Sequence, residues 1–178
     1  MHVVFAIVVG IVALFMLRGC RWSRATALSH WRYGFDRKVT HKRKHNGPFK
    51  TDCSGFVSHV LGYHYATNSW DIVKRLNCKK MYTLNEADMR AGTVIAYDSG
   101  PQGFDENRDN GVDHVGIVLR GWDFKLYLCD CKQKYGVRIR PLHEGVLDWN
   151  VYALEKGFGT EYMSKFGPLS KAFYVGHA

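Results

Sequence analysis

Residues 51–62 read TDCSGFVSHVLG, and the interpretation of the whole chain depends on them. Asp52 is a residue type that caps helices, and the apolar residues that follow it recur at the spacing of one helix face. Gly62 is the residue type that ends helices. The pattern therefore predicts a loop that turns into a helix, with Cys53 in the first turn of that helix.

A cysteine in the first turn of a helix is suited to nucleophilic chemistry. Free backbone N–H groups and the helix dipole favour the thiolate over the thiol at that position. The alternative interpretation of Cys53 is a buried thiol that fills the core as a small apolar residue. Position in the helix does not decide between the two, so a general base has to be identified elsewhere in the chain.

Residues 112–119, VDHVGIVL, contain the best candidate for that base. The run of Val, Ile and Leu predicts a central strand. Alternation along the strand puts His114, Gly116 and Val118 on one face. Because glycine has no side chain, we expect the Cys53 helix to approach the strand closely at Gly116. His114 is therefore predicted to act together with Cys53.

The two motifs together resemble those of a known enzyme family. DCSGFV at 52–57 and DHVGI at 113–117 are similar to the nucleophile and histidine motifs of the NlpC-type papain-like cysteine peptidases, the DL-endopeptidases of bacterial cell walls. Three shorter segments extend the resemblance over about residues 30 to 176: WRYG at 31–34, ADMRAGTVIAY at 87–97 and AFYVG at 172–176.

The resemblance implies an α+β, papain-like fold in which the Cys-bearing helix packs on an antiparallel sheet of five or six strands. It implies that Cys53 attacks a peptide carbonyl to form a thioester while His114 transfers protons. The expected bond is a γ-D-glutamyl–diamino acid amide in a peptidoglycan stem peptide. Tyr33 would lie near the oxyanion, and Asp52 and Ser54 would shape the turn and contact substrate. No cofactor or metal is expected.

A third polar residue should orient the imidazole from the strand that follows the His114 strand. In this chain that strand is KLYLCDC, residues 125–131, and it contains no histidine. The position falls on Cys129 or Asp130, and we favour Asp130 because a carboxylate accepts the imidazole N–H and stabilises the cation. The alternative is that Asp130 is a solvated acid at the strand edge, leaving a Cys–His dyad or an impaired site.

The N-terminus predicts a membrane attachment. Residues 3–17, VVFAIVVGIVALFML, carry no charge and are apolar on every helix face, so residues 1–18 are interpreted as a transmembrane or signal-anchor segment. A lipoprotein signal with a lipidated Cys20 is the alternative.

The net charge of +9 is concentrated behind the apolar segment. Ten basic residues and one acid lie between residues 18 and 50, whereas the rest of the chain is balanced. We define residues 19–50 as the basic collar and residues 51–178 as the catalytic domain. The positive charges predict that the collar is cytoplasmic and contacts anionic lipids, whereas the family resemblance predicts a domain beyond the membrane. The side of the membrane stays open, and nucleic acid is not an expected partner.

Two other functions are compatible with the same residues. The nucleophile and base also suit an amidase or acyltransferase that acts on a lipid or another amide. An unusual third residue is also what a non-catalytic, membrane-tethered binding module would show. Metal sites are not predicted, because Cys129 and Cys131 lack the Cys-x-x-Cys spacing of zinc sites and the acidic loop at 98–113 departs from an EF-hand.

Overall fold

The computed structural model describes residue 7 and residues 21–34, 50–63, 67–101, 112–164 and 167–178. Residues 21–27 are helical and are called α1. The remaining elements, in chain order, are β1 (Arg32–Tyr33), β2 (Lys50–Thr51), α2 (Cys53–Leu61), α3 (Ser69–Arg75), β3 (Lys79–Met81), a 3-10 turn (Glu86–Asp88), β4 (Thr93–Asp98), β5 (His114–Arg120), β6 (Leu126–Lys132), β7 (Gly136–Pro141), α4 (Leu142–Lys156), β8 (Glu161–Ser164), β9 (Gly167–Ser170) and β10 (Ala172–His177).

The main sheet has six strands in the order β3-β10-β4-β5-β6-β7. Every neighbouring pair in it is antiparallel. This confirms the predicted α+β class and the predicted antiparallel sheet. The histidine strand β5 lies between β4 and β6, and its register places Tyr97 opposite His114 and Asp130 opposite Gly116. The candidate base and the candidate third residue are thus on adjacent central strands.

One face of the sheet is covered by α2 and α1. Val115 and Ile117 of β5 are buried in the same apolar cluster as Phe56 of α2. Ala25 and Leu28 belong to this cluster too, with exposed fractions of 0% and 4%. The part of the basic collar that contains them therefore packs as part of the domain core.

The opposite face is covered by α4, which the sequence did not predict. Its Trp149 is only 2% exposed and packs beneath the central strands. A Cβ built on Gly116 would lie 3.3 Å from Cη2 of Trp149. The expectation that Gly116 admits the Cys53 helix is therefore wrong. His114, Gly116 and Val118 do share a face, but that face meets α4.

The predicted membrane segment falls largely outside the described residues. Of residues 3–17 the structure describes residue 7 alone, and Cys20 is not described. Among the residues that are described, no helix has both the length and the apolar character needed to cross a membrane. The N-terminal membrane helix accordingly stays a prediction.

Candidate active site

The nucleophile candidate lies at the start of α2 because Asp52 caps that helix. Oδ1 of Asp52 accepts hydrogen bonds from the Gly55 backbone N–H at 2.6 Å and from the Ser54 hydroxyl at 3.1 Å. Cys53 is the first helical residue and is 8% exposed. The backbone N–H of a first helical residue has no acceptor within its own helix. An oxyanion formed at the thiol would therefore find a donor at Cys53 itself.

The base candidate, His114, is the first residue of β5 and is 6% exposed. Its ring packs between the rings of Tyr97 and Trp149, at centroid distances of 5.3 Å and 5.5 Å. The imidazole Nε2 lies 3.1 Å from Oδ2 of Asp130. Cys53 is the second neighbour that acts on the imidazole, and its proximity also raises the pKa of His114. Because Nε2 faces the carboxylate, Nδ1 is the nitrogen left for the thiol.

The electrostatics of this triad favour a charged imidazole. Burial by itself lowers the pKa of His114, but the hydrogen bonds and negative charges of Asp130 and Cys53 outweigh burial and raise that pKa to about 9. Near neutral pH the ring is therefore an imidazolium that lies against the Asp130 carboxylate. A thiolate–imidazolium pair is the reactive form of a catalytic cysteine.

Asp130 is fully buried and is held by an arginine on the next strand. Arg138 donates from Nε to Oδ1 at 2.9 Å and from Nη2 to Oδ2 at 2.5 Å, a bidentate arrangement. Burial raises the pKa of Asp130, but the hydrogen bonds and charges of His114 and Arg138 bring it well below its usual range. Asp130 is therefore an anion in a fixed position.

The two candidates for the third position point to opposite faces of β6. Asp130 reaches His114 on the α4 side, whereas Cys129 is fully buried in the cluster beneath α2. Burial raises the pKa of the Cys129 thiol well above its ordinary value, so this group stays protonated. The structure brings Asp130, and not Cys129, to the imidazole.

Sequence reasoning missed Arg138, which holds the carboxylate of Asp130, and Trp149, which packs against the ring of His114. A signal for Arg138 was present, because Asp130 and Arg138 are directly opposed in the β6–β7 register and an acid facing a base is a favourable cross-strand pair. Trp149 gave no comparable signal, since its role depends on which face of the sheet α4 covers.

Tyr33 is brought beside Cys53 by a short parallel pairing of β1 with β2. Tyr33 is opposite Thr51, two residues before the cysteine, and the Gly34 N–H donates to the Thr51 carbonyl at 3.0 Å. Burial and the negative charges of Cys53 and Asp52 raise the pKa of Tyr33 far above its ordinary value. Its hydroxyl therefore keeps its proton and is available as a donor.

The other predicted substrate contacts, Asp52 and Ser54, are both 7% exposed and both take part in the cap of α2. A contact between either of them and substrate stays a prediction. Four cysteines are free thiols in the described part of the chain, Cys53, Cys78, Cys129 and Cys131. Among the same described residues, no group of His, Cys, Asp and Glu is arranged to hold a metal ion.

The chain was compared with models of protein families and with curated proteins. Neither comparison found a match.

Proposed function

We propose that the chain is a cysteine endopeptidase that hydrolyses a γ-D-glutamyl–diamino acid amide in peptidoglycan stem peptides. The observation that carries this proposal is the position of His114 between Cys53 and Asp130. The choice of substrate comes from the resemblance to the NlpC-type peptidases. The buried carboxylate at the third position is the main argument against a non-catalytic binding module, since a binding module has no need of an oriented imidazolium.

In the acylation half-reaction the thiolate of Cys53 attacks the carbonyl carbon of the scissile amide. The carbon–nitrogen bond then breaks, His114 gives its proton to the departing amine, and a thioester remains on the sulfur. Negative charge that develops on the carbonyl oxygen is stabilised by the backbone N–H of Cys53 and by the hydroxyl of Tyr33.

In the deacylation half-reaction the now neutral His114 removes a proton from water, and the hydroxide attacks the thioester carbonyl. The acid product leaves and the thiolate–imidazolium pair returns. Asp130 keeps Nε2 of the ring protonated and so directs Nδ1 to the sulfur. Arg138 is a positioning residue, because it fixes the carboxylate and does not contact the reacting atoms.

The proposed setting is the membrane surface. Residues 3–17 form the tether, and the basic collar that follows them binds anionic head groups. A peptidase on stem peptides then requires the domain on the cell-wall side, whereas the lipid amidase or acyltransferase alternative is compatible with the cytoplasmic side that the charge rule predicts.

The test uses the full chain in detergent micelles with two measurements. An iodoacetamide probe, with the labelled residue identified by peptide mass spectrometry, should label Cys53 in the wild type and in Cys131→Ala, the matched variant of a second buried thiol, while Cys53→Ala should lose this adduct. Mass spectrometry of digested peptidoglycan should show new γ-D-glutamyl ends with the wild type and none with Cys53→Ala. A wild type that carries no adduct at Cys53 would contradict an enzyme built on this thiol, and an intact stem-peptide profile would favour acyl transfer.

A shorter chain for this experiment should begin no later than residue 21. Ala25 and Leu28 are buried in the core that α2 shares with the sheet. Removal of residues 1–28 would take away both of these side chains and destabilise the domain.

A further inference from the structure

The turn between β5 and β6 exposes two large aromatic side chains. Trp122 is 59% exposed and Phe124 is 61% exposed. The backbone of Phe124 has a φ of 65°, in the left-handed region that bulky side chains rarely adopt. A residue held in such a conformation with its ring exposed is typical of a surface with a function.

The turn is an ordered structure with several internal bonds. Arg120 donates from Nη1 to the Phe124 carbonyl at 2.6 Å, and the Gly121 N–H donates to the Lys125 carbonyl at 2.9 Å. The Tyr127 hydroxyl donates to Asp123 Oδ2 at 2.8 Å. These bonds hold the backbone of the turn that carries the two aromatic side chains.

The turn lies next to α1, the first continuous segment that the structure describes. The Trp22 ring of α1 is 5.0 Å from the Tyr127 ring, and a Cβ on Gly121 would lie 3.3 Å from Cζ2 of Trp22. Trp22 follows the apolar segment, which ends at Leu17, by five residues. Five residues span at most about 18 Å, so a membrane that holds Leu17 is within reach of the turn.

The charges around the two rings match a lipid interface. Arg120 and Lys125 flank the turn and are exposed, while the one acid, Asp123, accepts hydrogen bonds from Tyr127 and from the Lys125 backbone. Trp and other amphipathic aromatic residues concentrate at the head-group level of bilayers, and basic residues beside them attract anionic lipids.

We propose that the β5–β6 turn is a second membrane contact, in which Trp122 and Phe124 enter the interface of a bilayer that contains anionic lipids. The contact rests on the tether part of the proposed function and is independent of the catalysis. It also fixes an orientation. His114 begins β5 and Arg120 ends it, so about 20 Å of strand separates the reactive thiol from the lipid-facing turn. The candidate active site then lies at the end of β5 that is remote from the bilayer, which favours a soluble or wall-bound substrate over a lipid.

The test uses the full chain with the photoreactive amino acid p-benzoylphenylalanine in place of Trp122, of Phe124 or of Leu154. Leu154 is the matched control, because it is 83% exposed and apolar but lies on α4. Each chain is incorporated into vesicles of phosphatidylcholine and phosphatidylglycerol, floated, irradiated and examined for lipid adducts by mass spectrometry. We expect adducts at positions 122 and 124 and at least tenfold less at position 154. We also expect Lys125→Gln to lower the adduct yield about fivefold.

The possible outcomes distinguish the membrane contact of the turn from the proposed tether and from the proposed enzyme activity. If the chains float but form no adducts at positions 122 and 124, the result would support the tether and overturn the membrane contact of the turn. Equal adduct yields at all three positions would also overturn it. A chain that does not float overturns the tether and this contact together, and cleavage of stem peptides by that same chain would leave the proposed enzyme intact.

Discussion

The two ends of β5 carry similar residue types in opposite surroundings. At the first end, His114 lies among Tyr97 and Trp149 with almost no exposed surface. At the other end, Arg120 leads into a turn whose aromatic side chains, Trp122 and Phe124, are more than half exposed. A basic side chain thus lies close to aromatic side chains at both ends of β5, in the interior at one end and in solvent at the other.

The difference shows what burial adds to a charge. Interactions between charges are far stronger inside a protein than in water, and a buried charge without a partner is costly. The His114 end can therefore hold an imidazolium against the buried carboxylate of Asp130, whereas charges at the Arg120 end are screened by solvent. Substitutions at the His114 end should lower the free energy of unfolding strongly, and matched substitutions at the Arg120 end should lower it little.

The largest effect is expected for the carboxylate beneath His114. Asp130→Ala leaves Arg138 and the imidazole without their shared buried partner, so we expect the free energy of unfolding to fall by about 3–5 kcal/mol. Asp123→Ala removes an exposed carboxylate beyond the other end of the strand and should change the free energy of unfolding far less, because solvent screens its charge. Urea denaturation measures both, and equal losses would contradict the comparison.

A smaller effect on stability is expected when alanine replaces Gly116, near the first end of β5, or Gly121, which follows its other end. Gly116→Ala places a Cβ 3.0 Å from the Cys129 carbonyl and 3.3 Å from Trp149, which cannot move freely, so we expect a loss of about 1–3 kcal/mol. Gly121→Ala places a Cβ closer to its neighbours, 2.7 Å from Asp123 Oδ1 and 2.8 Å from the Tyr127 ring. Both of these neighbours are side chains at the surface that can shift together, whereas the nearest neighbour of Gly116 is backbone, so we expect the smaller loss at Gly121. Thermal unfolding of both variants would show the order, and a greater loss for Gly121→Ala would reverse the comparison.

The titration of His114 should also make the free energy of unfolding depend on pH. The pKa of His114 is raised from 6.5 to about 9 in the folded protein. The stabilisation this gives is fully present below pH 6.5 and is lost as the pH rises through 9, with a slope of at most about 1.4 kcal/mol per pH unit. Chemical denaturation at a series of pH values measures this slope, and His114→Gln should lack it. An unchanged slope in that variant would show that another group titrates.

The smallest effect is expected at the turn. Phe124→Gly removes a ring that is mostly exposed and relieves a positive φ, while glycine adds freedom to the unfolded chain. These contributions oppose each other, so the free energy of unfolding should change by less than about 1 kcal/mol. Peptidase activity on a soluble stem peptide should stay within about twofold, because β5 separates the turn from the thiol. A loss of activity with retained stability would indicate that the two ends are coupled.

Much of the site could be predicted because its signals are local. Asp52 and Gly62 are cap residues whose types follow from backbone geometry, and they define α2 in the structure as they did in the sequence. Alternation along β5 placed His114 and Gly116 on one face. The choice of Asp130 over Cys129 followed from the chemistry of an imidazolium, and the structure places that carboxylate at the ring.

The missed features depend on how elements meet. Alternation says which residues share a face of β5, but it does not say which helix covers that face, so Gly116 was assigned to α2 when it packs on Trp149. Helix α4 was not predicted because Leu147 and Leu154 are exposed, which obscures the amphipathic pattern that identifies a helix. Arg138 reaches Asp130 only in one strand register, and a shift of one residue would turn it to the other face.

The pairing of β1 with β2 has a consequence for how the protein can be altered. Gly34 is hydrogen-bonded to Thr51, so the chain leaves this pair and returns to it at neighbouring points. The spacing of Tyr33 from Cys53 is therefore set by this pairing and not by the number of residues that join the two strands along the chain, so a change in that number should leave the candidate site in place.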